Sequence, residues 1–132
     1  MIKEFFEEID KFFPLHVQAA YWDNTNLIID GNDWSFSTTS PWRFIDNKAM
    51  VFGCTDREVC QVITEIQSCK IIFVKIQTKN FPVDPVFGFS NGYKLEIFSS
   101  VSSISWKFKL PTGKIYEGKP TDPIWVLGTE LA

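Results

Sequence analysis

Short runs in which apolar and polar residues alternate, each closed by turn-forming residues, dominate this sequence. The most regular run, Ile104 to Leu110, reads ISWKFKL and leads into a Pro-Thr-Gly turn. Successive side chains of a β-strand point to opposite faces, so the run predicts a strand with one face on a core and the other in water. Several such runs separated by Gly, Pro and Asn indicate an antiparallel sheet.

Two segments have helical periodicity instead. From Ile2 to Phe13 apolar residues recur every three or four positions, charged residues take the other face, and Pro14 ends the pattern. Further on, Thr55 and Glu58 form a capping-box pattern before a second apolar stripe that ends near Ser68. The sequence therefore predicts an α+β fold, a mostly antiparallel sheet of about six to nine strands with an N-terminal helix and one mid-chain helix.

Three strand segments carry more specific predictions. A three-residue loop, Ser90–Gly92, would pair Phe89 with Tyr93 and gather apolar side chains on one face, with the loop's glycine left-handed. The run Ile71–Ile76 is apolar on both sides, which is typical of a central strand covered on two faces. The run from Leu15 to Trp22 is predicted as one strand, because a turn-rich DNTN sequence follows it.

Length and composition limit the class of protein. With 132 residues, 45% of them hydrophobic and 16% aromatic, the chain is predicted to be a single globular domain spanning residues 1–132. The net charge of -3 argues against nucleic-acid binding. No apolar run approaches the roughly 20 residues of a membrane helix. The acidic start, MIKEFFEEID, differs from a secretory signal, so we expect a cytoplasmic protein.

The cysteines and the single histidine do not form a recognisable site. Cys54, Cys60 and Cys69 have no CxxC spacing, and His16 is far away in the chain, which argues against a zinc site. Cys60 falls on the predicted second helix and Cys69 opens a strand, where we expect buried structural thiols in a reducing compartment. A catalytic role for His16 is not supported, because the sequence has no GxSxG motif to supply a serine partner.

Acidic residues could in principle form an acid–base pair. Glu7 and Glu8 lie on the polar side of the first helix, where charged residues are common. Asp30 and Asp33 flank a turn, where aspartate is favoured because its side chain can hydrogen-bond to the backbone. No glycine-rich phosphate loop is present. We therefore expect a non-enzymatic protein without a cofactor or metal, with a hydrolase that uses an unrecognised carboxylate site as one alternative.

The tryptophans suggest another alternative, a small-ligand or carbohydrate-binding module. Alternation places Trp34 and Trp106 on the buried faces of their strands, so core packing explains these two. Trp125, in a tail with no strong period, is expected to be the most exposed. The five tryptophans are Trp22, Trp34, Trp42, Trp106 and Trp125.

The acidic face of the first helix can be interpreted in two ways. A run of charges on a helix face commonly serves solubility. It can also dock a basic protein, because complementary charge speeds association and sets specificity. The partner-binding residues predicted on this basis, together with the exposed tail tryptophan, are Glu4, Glu7, Glu8, Asp10 and Trp125.

The stretch Phe87–Pro120 combines a Phe-rich strand, an Asn-Gly turn, an aliphatic strand, a tryptophan strand and a Pro-x-Gly turn. It resembles a pattern in small uncharacterised bacterial α+β proteins, and Trp42-Arg43 followed by VFG and a helix is similar to the front half of such proteins. Some of these are immunity proteins that bind and block one cognate toxin. The resemblance implies a protein-binding function, with a toxin as the partner, and carries no site residue.

Overall fold

The computed structural model describes residues 2–46, 48, 51–57, 59–78, 81–98, 106–118 and 124–129. These residues form two helices, α1 (Ile2–Asp10) and α2 (Val59–Ile66). The strands are β1 (Leu15–His16), β2 (Ala19–Trp22), β3 (Leu27–Asp30), β4 (Ser35–Thr38), β5 (Trp42–Ile45), β6 (Val51–Gly53), β7 (Lys70–Thr78), β8 (Phe81–Phe89), β9 (Lys94–Ile97), β10 (Trp106–Lys109), β11 (Lys114–Gly118) and β12 (Ile124–Thr129).

The strands form two antiparallel sheets. Sheet A has the order β1-β7-β8-β9-β5-β6, and sheet B has the order β12-β11-β10-β4-β3-β2. The predicted antiparallel α+β character is confirmed. The predicted size, one sheet of about six to nine strands, is wrong, because the described residues form two sheets of six strands. The tail contributes β12, a strand that its sequence pattern does not reveal.

The chain changes sheet inside the run Leu15–Trp22. The backbone N–H of Val17 donates to the carbonyl of Cys69 at 2.9 Å, beside β7 of sheet A. The next residue, Gln18, donates to the carbonyl of Asp30 at 2.8 Å, in β3 of sheet B. The predicted single strand is therefore two strands, β1 and β2, which belong to different sheets.

Strand β2 runs across sheet A rather than along it. It starts next to β1 in the chain and ends at Trp22, whose ring centroid lies 5.0 Å from that of Trp42 on β5. Strands β1 and β5 are four positions apart in sheet A, a distance of about 19 Å at the usual strand spacing. The strands of the two sheets therefore cross at a large angle, as in orthogonal sheet packing.

Aromatic rings fill the space between the sheets. Phe36 of sheet B lies 4.8 Å from Phe87 of sheet A, and Phe5 of α1 lies 5.1 Å from Tyr116 of sheet B. Trp34 and Trp106 are buried, as predicted. Each such side chain contributes about 1.5 to 3 kcal/mol of burial free energy before conformational entropy is subtracted.

Both helices are short and pack against the sheets. The apolar stripe of α2, from Val59 to Ile66, is buried and α2 packs on β2 and β6. The longest helix in the described ranges, α1, has nine residues, less than half the length needed to cross a bilayer. Glu58 of the predicted capping box lies outside the described residues, as do Ile104 and Ser105 of the predicted tryptophan strand.

The predicted β8–β9 hairpin is confirmed. Phe87 pairs with Leu95, and the N–H of Phe89 donates to the carbonyl of Tyr93 at 2.8 Å, which leaves a three-residue loop. Gly92 has a φ of 92°, the left-handed conformation that this loop requires. The apolar side chains of the hairpin therefore point to the core while Lys94 points outward.

The predicted double coverage of Ile71–Ile76 is wrong. Ile72 is 46% exposed and Ile76 is 42% exposed. The register of β7 against β8 shifts between Ile71 and Phe73, which turns Ile72 away from the core. The run is apolar on both sides because its outer side contributes to an exposed apolar surface.

Candidate functional site

The acidic surface of α1 is partly neutralised by a cation from the far end of the chain. Lys114 of β11 donates from Nζ to Glu4 Oε1 at 2.9 Å and to Glu8 Oε1 at 2.8 Å. The hydrogen bond from Lys114 to Glu4, and the charge of Lys114, lower the pKa of the Glu4 carboxyl. The hydrogen bonds to Glu8 and Glu4 in turn raise the pKa of Lys114. Two of the predicted partner-binding carboxylates therefore already bind an ammonium group within the chain.

The other predicted partner-binding residues are Glu7, Asp10 and Trp125. Glu7 and Asp10 are exposed on α1. Trp125 lies on β12 and pairs with Glu117 of β11, but its side chain lies outside the described part of the chain. The structure thus brings Glu4 and Glu8 together and gives no position for the Trp125 ring.

The outer face of sheet A is a second surface, which the sequence analysis did not single out. Inner-facing rows such as Phe87–Leu95–Phe44 alternate along the strands with rows that face away from sheet B. The outer side chains fall in two adjacent rows. One row runs through Phe73, Gly88, Lys94, Ile45 and Val51, and the other through Lys75, Val86, Glu96, Arg43 and Gly53.

This outer face combines exposed apolar groups with cations. Val51 is 52% exposed, and Ile72, at the β7 bulge, is 46% exposed. The Lys75 ammonium lies 4.7 Å from the centroid of the Phe73 ring, a cation–π contact. Arg43 pairs with Glu96 in the same row. Its guanidinium carbon also lies 5.0 Å from the Phe98 ring centroid.

An open cleft forms where three connections meet. These are the β2–β3 turn, the β4–β5 link and the β6–α2 link, and the cleft has a volume of about 810 Å³. Rigid strands that hold several loops together commonly create binding sites at the loops. The lining residues are Trp22, Asn24, Thr25, Thr39, Ser40, Pro41, Cys54, Thr55, Asp56, Arg57, Val59 and Cys60.

Two cysteines of the sequence analysis, Cys54 and Cys60, line this cleft. Cys54 is half-buried and Cys60 is exposed, so the expectation of a buried thiol on α2 is wrong for Cys60. The reason is that Cys60 lies beside the buried stripe of α2, on its solvent side. Cys69 is half-buried outside the cleft, and His16 is exposed on β1 and does not line it.

The turn aspartates of the sequence analysis, Asp30 and Asp33, do not line the cleft. Partial burial raises the pKa of Asp30, while Asp33 is exposed in the β3–β4 turn. Within the cleft lining the structure describes, Asp56 supplies the carboxylate, and its Oδ2 accepts a hydrogen bond from the Gly53 N–H at 2.6 Å. No group of three or more His, Cys, Asp or Glu side chains in the described ranges could hold a metal ion.

The outer face and the cleft could be foreseen only in part. The alternation of Arg43 and Ile45 with buried residues marks them as outward-facing, but Lys75 and Lys94, which lie on the same face, come from distant parts of the sequence.

Comparison with protein-family models, with curated proteins and with solved structures gives no significant match.

Proposed function

We propose that this chain is a non-enzymatic, cytoplasmic protein that binds another protein, as an immunity protein binds and neutralises a cognate bacterial toxin. The resemblance of Phe87–Pro120 to such proteins supports the partner class. The physical support comes from the outer face of sheet A, where the apolar side chains of Val51 and Ile72 stay exposed.

The composition of this outer face suits a protein interface. Protein interfaces have an apolar centre that excludes water and a charged rim. Val51 and Ile72 are about half exposed near opposite ends of this face, next to the half-buried Ile45 and Phe73 respectively, and Gly88 and Lys94 lie between these two pairs. This single observation carries the proposal, because covering exposed aliphatic side chains removes apolar surface from water, which is favourable.

The charges on the outer face predict the chemistry of the partner. Lys75, Lys94 and Arg43 face outward together with one carboxylate, Glu96, whereas the whole chain has a net charge of -3. A cationic face on an acidic protein orients an approaching partner. The partner surface is therefore expected to present both acidic and apolar groups.

The acidic surface of α1 is the competing interface, and it would suit a basic partner. Glu4 and Glu8 would have to exchange their bonds to Lys114 for bonds to that partner, which reduces the net gain. Among the α1 side chains that the structure describes, none is an exposed aliphatic group of the kind that forms the centre of most interfaces. These two points favour the outer face of sheet A.

The test is co-expression with the product of the neighbouring gene, followed by purification of the complex and measurement of Kd. Val51→Asp and Lys75→Glu should each weaken binding at least tenfold and remove rescue from toxicity, because the first places a carboxylate on an exposed apolar position and the second reverses the charge of an outward-facing cation. Tyr21→Asp and Lys11→Glu change equally exposed groups elsewhere and should leave Kd unchanged.

Three results would count against the proposal. Failure to form any complex, with no rescue, removes the protein-binding function itself. Normal binding by Val51→Asp and Lys75→Glu refutes the outer face as the interface. Loss of binding in Asp10→Lys, with the sheet variants unaffected, moves the interface to α1.

A further inference from the structure

We propose that the cleft between the β2–β3 turn, the β4–β5 link and the β6–α2 link binds a neutral polyhydroxylated small molecule, a saccharide of one or two rings. This site is independent of the protein-binding function proposed above. Its volume of about 810 Å³ lies within the range of roughly 300 to 1,000 Å³ that is typical of small-molecule sites.

The cleft contains an aromatic platform with a fixed position. Trp22 is half-buried, and the ring of the buried Trp42 meets it edge-on, at 5.0 Å and an interplanar angle of 88°. A ring fixed in this way loses little conformational entropy when a ligand covers it. The apolar C–H face of a sugar ring can stack on such an indole, and Pro41 adds apolar surface to the same lining.

Polar groups that suit hydroxyl ligands surround this platform. The lining presents four hydroxyl side chains, one amide and a pair of opposite charges, Asp56 and Arg57. Hydroxyls and amides both donate and accept, so they match the vicinal hydroxyls of a sugar. Among the lining residues that the structure describes, one carboxylate and one guanidinium balance each other, which favours a neutral ligand over an anion or a cation. The hydroxyl and amide residues are Asn24, Thr25, Thr39, Ser40 and Thr55.

Short-range hydrogen bonds fix all three connections before any ligand arrives. Asp23 Oδ1 accepts from the Thr25 N–H at 2.9 Å and from the Asn26 N–H at 2.7 Å. In the β4–β5 link the Ser40 N–H donates to Thr38 Oγ1 at 3.1 Å. Asp56 holds the β6–α2 link through its bond to Gly53. Preorganised loops of this kind reduce the entropic cost of binding.

Binding rather than hydrolysis follows from the carboxylates. Glycosidases of the common type use two carboxyl groups on opposite sides of the scissile bond. Among the lining residues that the structure describes, Asp56 is one such group and is occupied by the Gly53 N–H. A paired mechanism would need a second acid from outside this lining.

The experiment is saturation-transfer NMR and calorimetry of the purified full chain with a panel of neutral mono- and disaccharides. We expect at least one sugar to bind and expect Trp22→Ala to weaken its Kd at least tenfold, with Trp22→Phe intermediate. Arg57→Gln, at an exposed position, should also weaken binding without a folding defect. Tyr21→Ala, the neighbouring exposed aromatic on β2, is the matched control and should bind as the unaltered chain does.

The cysteines give a second readout within one molecule. A bound sugar should slow the alkylation of Cys60, which lines the cleft, and leave the alkylation of Cys69, which lies outside it, unchanged. A panel without binding at 10-fold excess over a Kd of about 1 mM would refute the proposal. So would binding that Trp22→Ala and Arg57→Gln leave intact, or equal protection of both cysteines.

Discussion

The ring of Phe73 fills the space that a side chain on Gly88 would need. The two residues face each other across β7 and β8, and a Cβ built on Gly88 would come within 2.0 Å of the Phe73 ring. Glycine at this position therefore lets an aromatic ring lie flat on the outer face of sheet A, with Lys75 above it. The shape of the proposed interface depends on this contact.

Gly88→Ala should expel the Phe73 ring and destabilise the protein by about 1 kcal/mol. In a Phe73→Ala background the same change should cost nothing, because no ring competes for the space, and alanine suits a strand better than glycine does. Urea unfolding of the four variants measures this coupling, and strictly additive effects would contradict it. Gly118→Ala should destabilise the protein more than Gly88→Ala does. The added methyl group would meet the ring of the buried Trp106, which has no route to solvent.

The Glu4–Lys114 contact predicts part of the acid dependence of stability. Lys114 lowers the pKa of Glu4 below its ordinary value of 4.5. The contact therefore stabilises the protein at pH values above 4.5, and this stabilisation is lost as the pH falls through the lower, folded-state pKa. Lys114→Gln should return the carboxyl pKa of Glu4 toward 4.5 and flatten the acid limb of the stability curve.

Carboxyl-detected NMR titration and urea unfolding at several pH values test this expectation. Lys109→Gln, another change of lysine on sheet B, should leave the pKa of Glu4 in place. An unchanged Glu4 pKa in Lys114→Gln would mean that the pair does not persist in solution.

Tyr93 should ionise unusually late. Its hydroxyl donates a hydrogen bond to the Glu65 carboxylate, which raises the pKa of Tyr93 to about 12, with burial adding to the effect. The raised pKa stabilises the fold below pH 10, the ordinary tyrosine value, and this contribution is lost as the pH rises toward 12. Glu65→Gln should lower the pKa of Tyr93 toward 10, as NMR of labelled tyrosine can measure.

A Tyr93 titration that Glu65→Gln leaves unaltered would contradict the contact. Tyr116 provides the comparison within the same chain. Burial is the main reason that its pKa is raised to about 12, so Glu65→Gln should not change its titration.

Local sequence chemistry explains which parts of the fold could be predicted. The β8–β9 hairpin follows from a glycine that can adopt positive φ and from apolar residues on one side, and both signals lie within a few positions. The helix α1 ends before Pro14 for an equally local reason. The change of sheet at Val17 has no local signal, because it is decided by distant backbone partners, Cys69 and Asp30.

The candidate sites depend even more on long-range pairing. Lys114 reaches Glu8 across 106 positions of sequence, so the neutralisation of the acidic helix could not be seen from the helix alone. The apolar run around Ile72 predicted core positions on both faces, because a pattern reports hydrophobicity and not whether a second layer covers that face. The cleft assembles from three separate connections, and the capping-box pattern in one of them predicts the start of a helix, not a cleft.

Ser68 offers a site for stabilisation at the end of α2. It has a φ of 78°, in the left-handed region that favours glycine, and the N–H of the next residue, Cys69, donates to the carbonyl of Ile66 at 3.0 Å. Ser68→Gly should raise the free energy of unfolding by about 0.5 to 1 kcal/mol, because it relieves the strained backbone and keeps the hydrogen bond of the Ser68 N–H to Val17. Ser68→Ala should give no such gain, since alanine has the same Cβ conflict. Asn24→Gly, at a φ of 73°, is the matched control and should gain less, because asparagine tolerates this conformation. Equal urea midpoints for Ser68→Gly and Ser68→Ala would show that the left-handed backbone at Ser68 carries no strain.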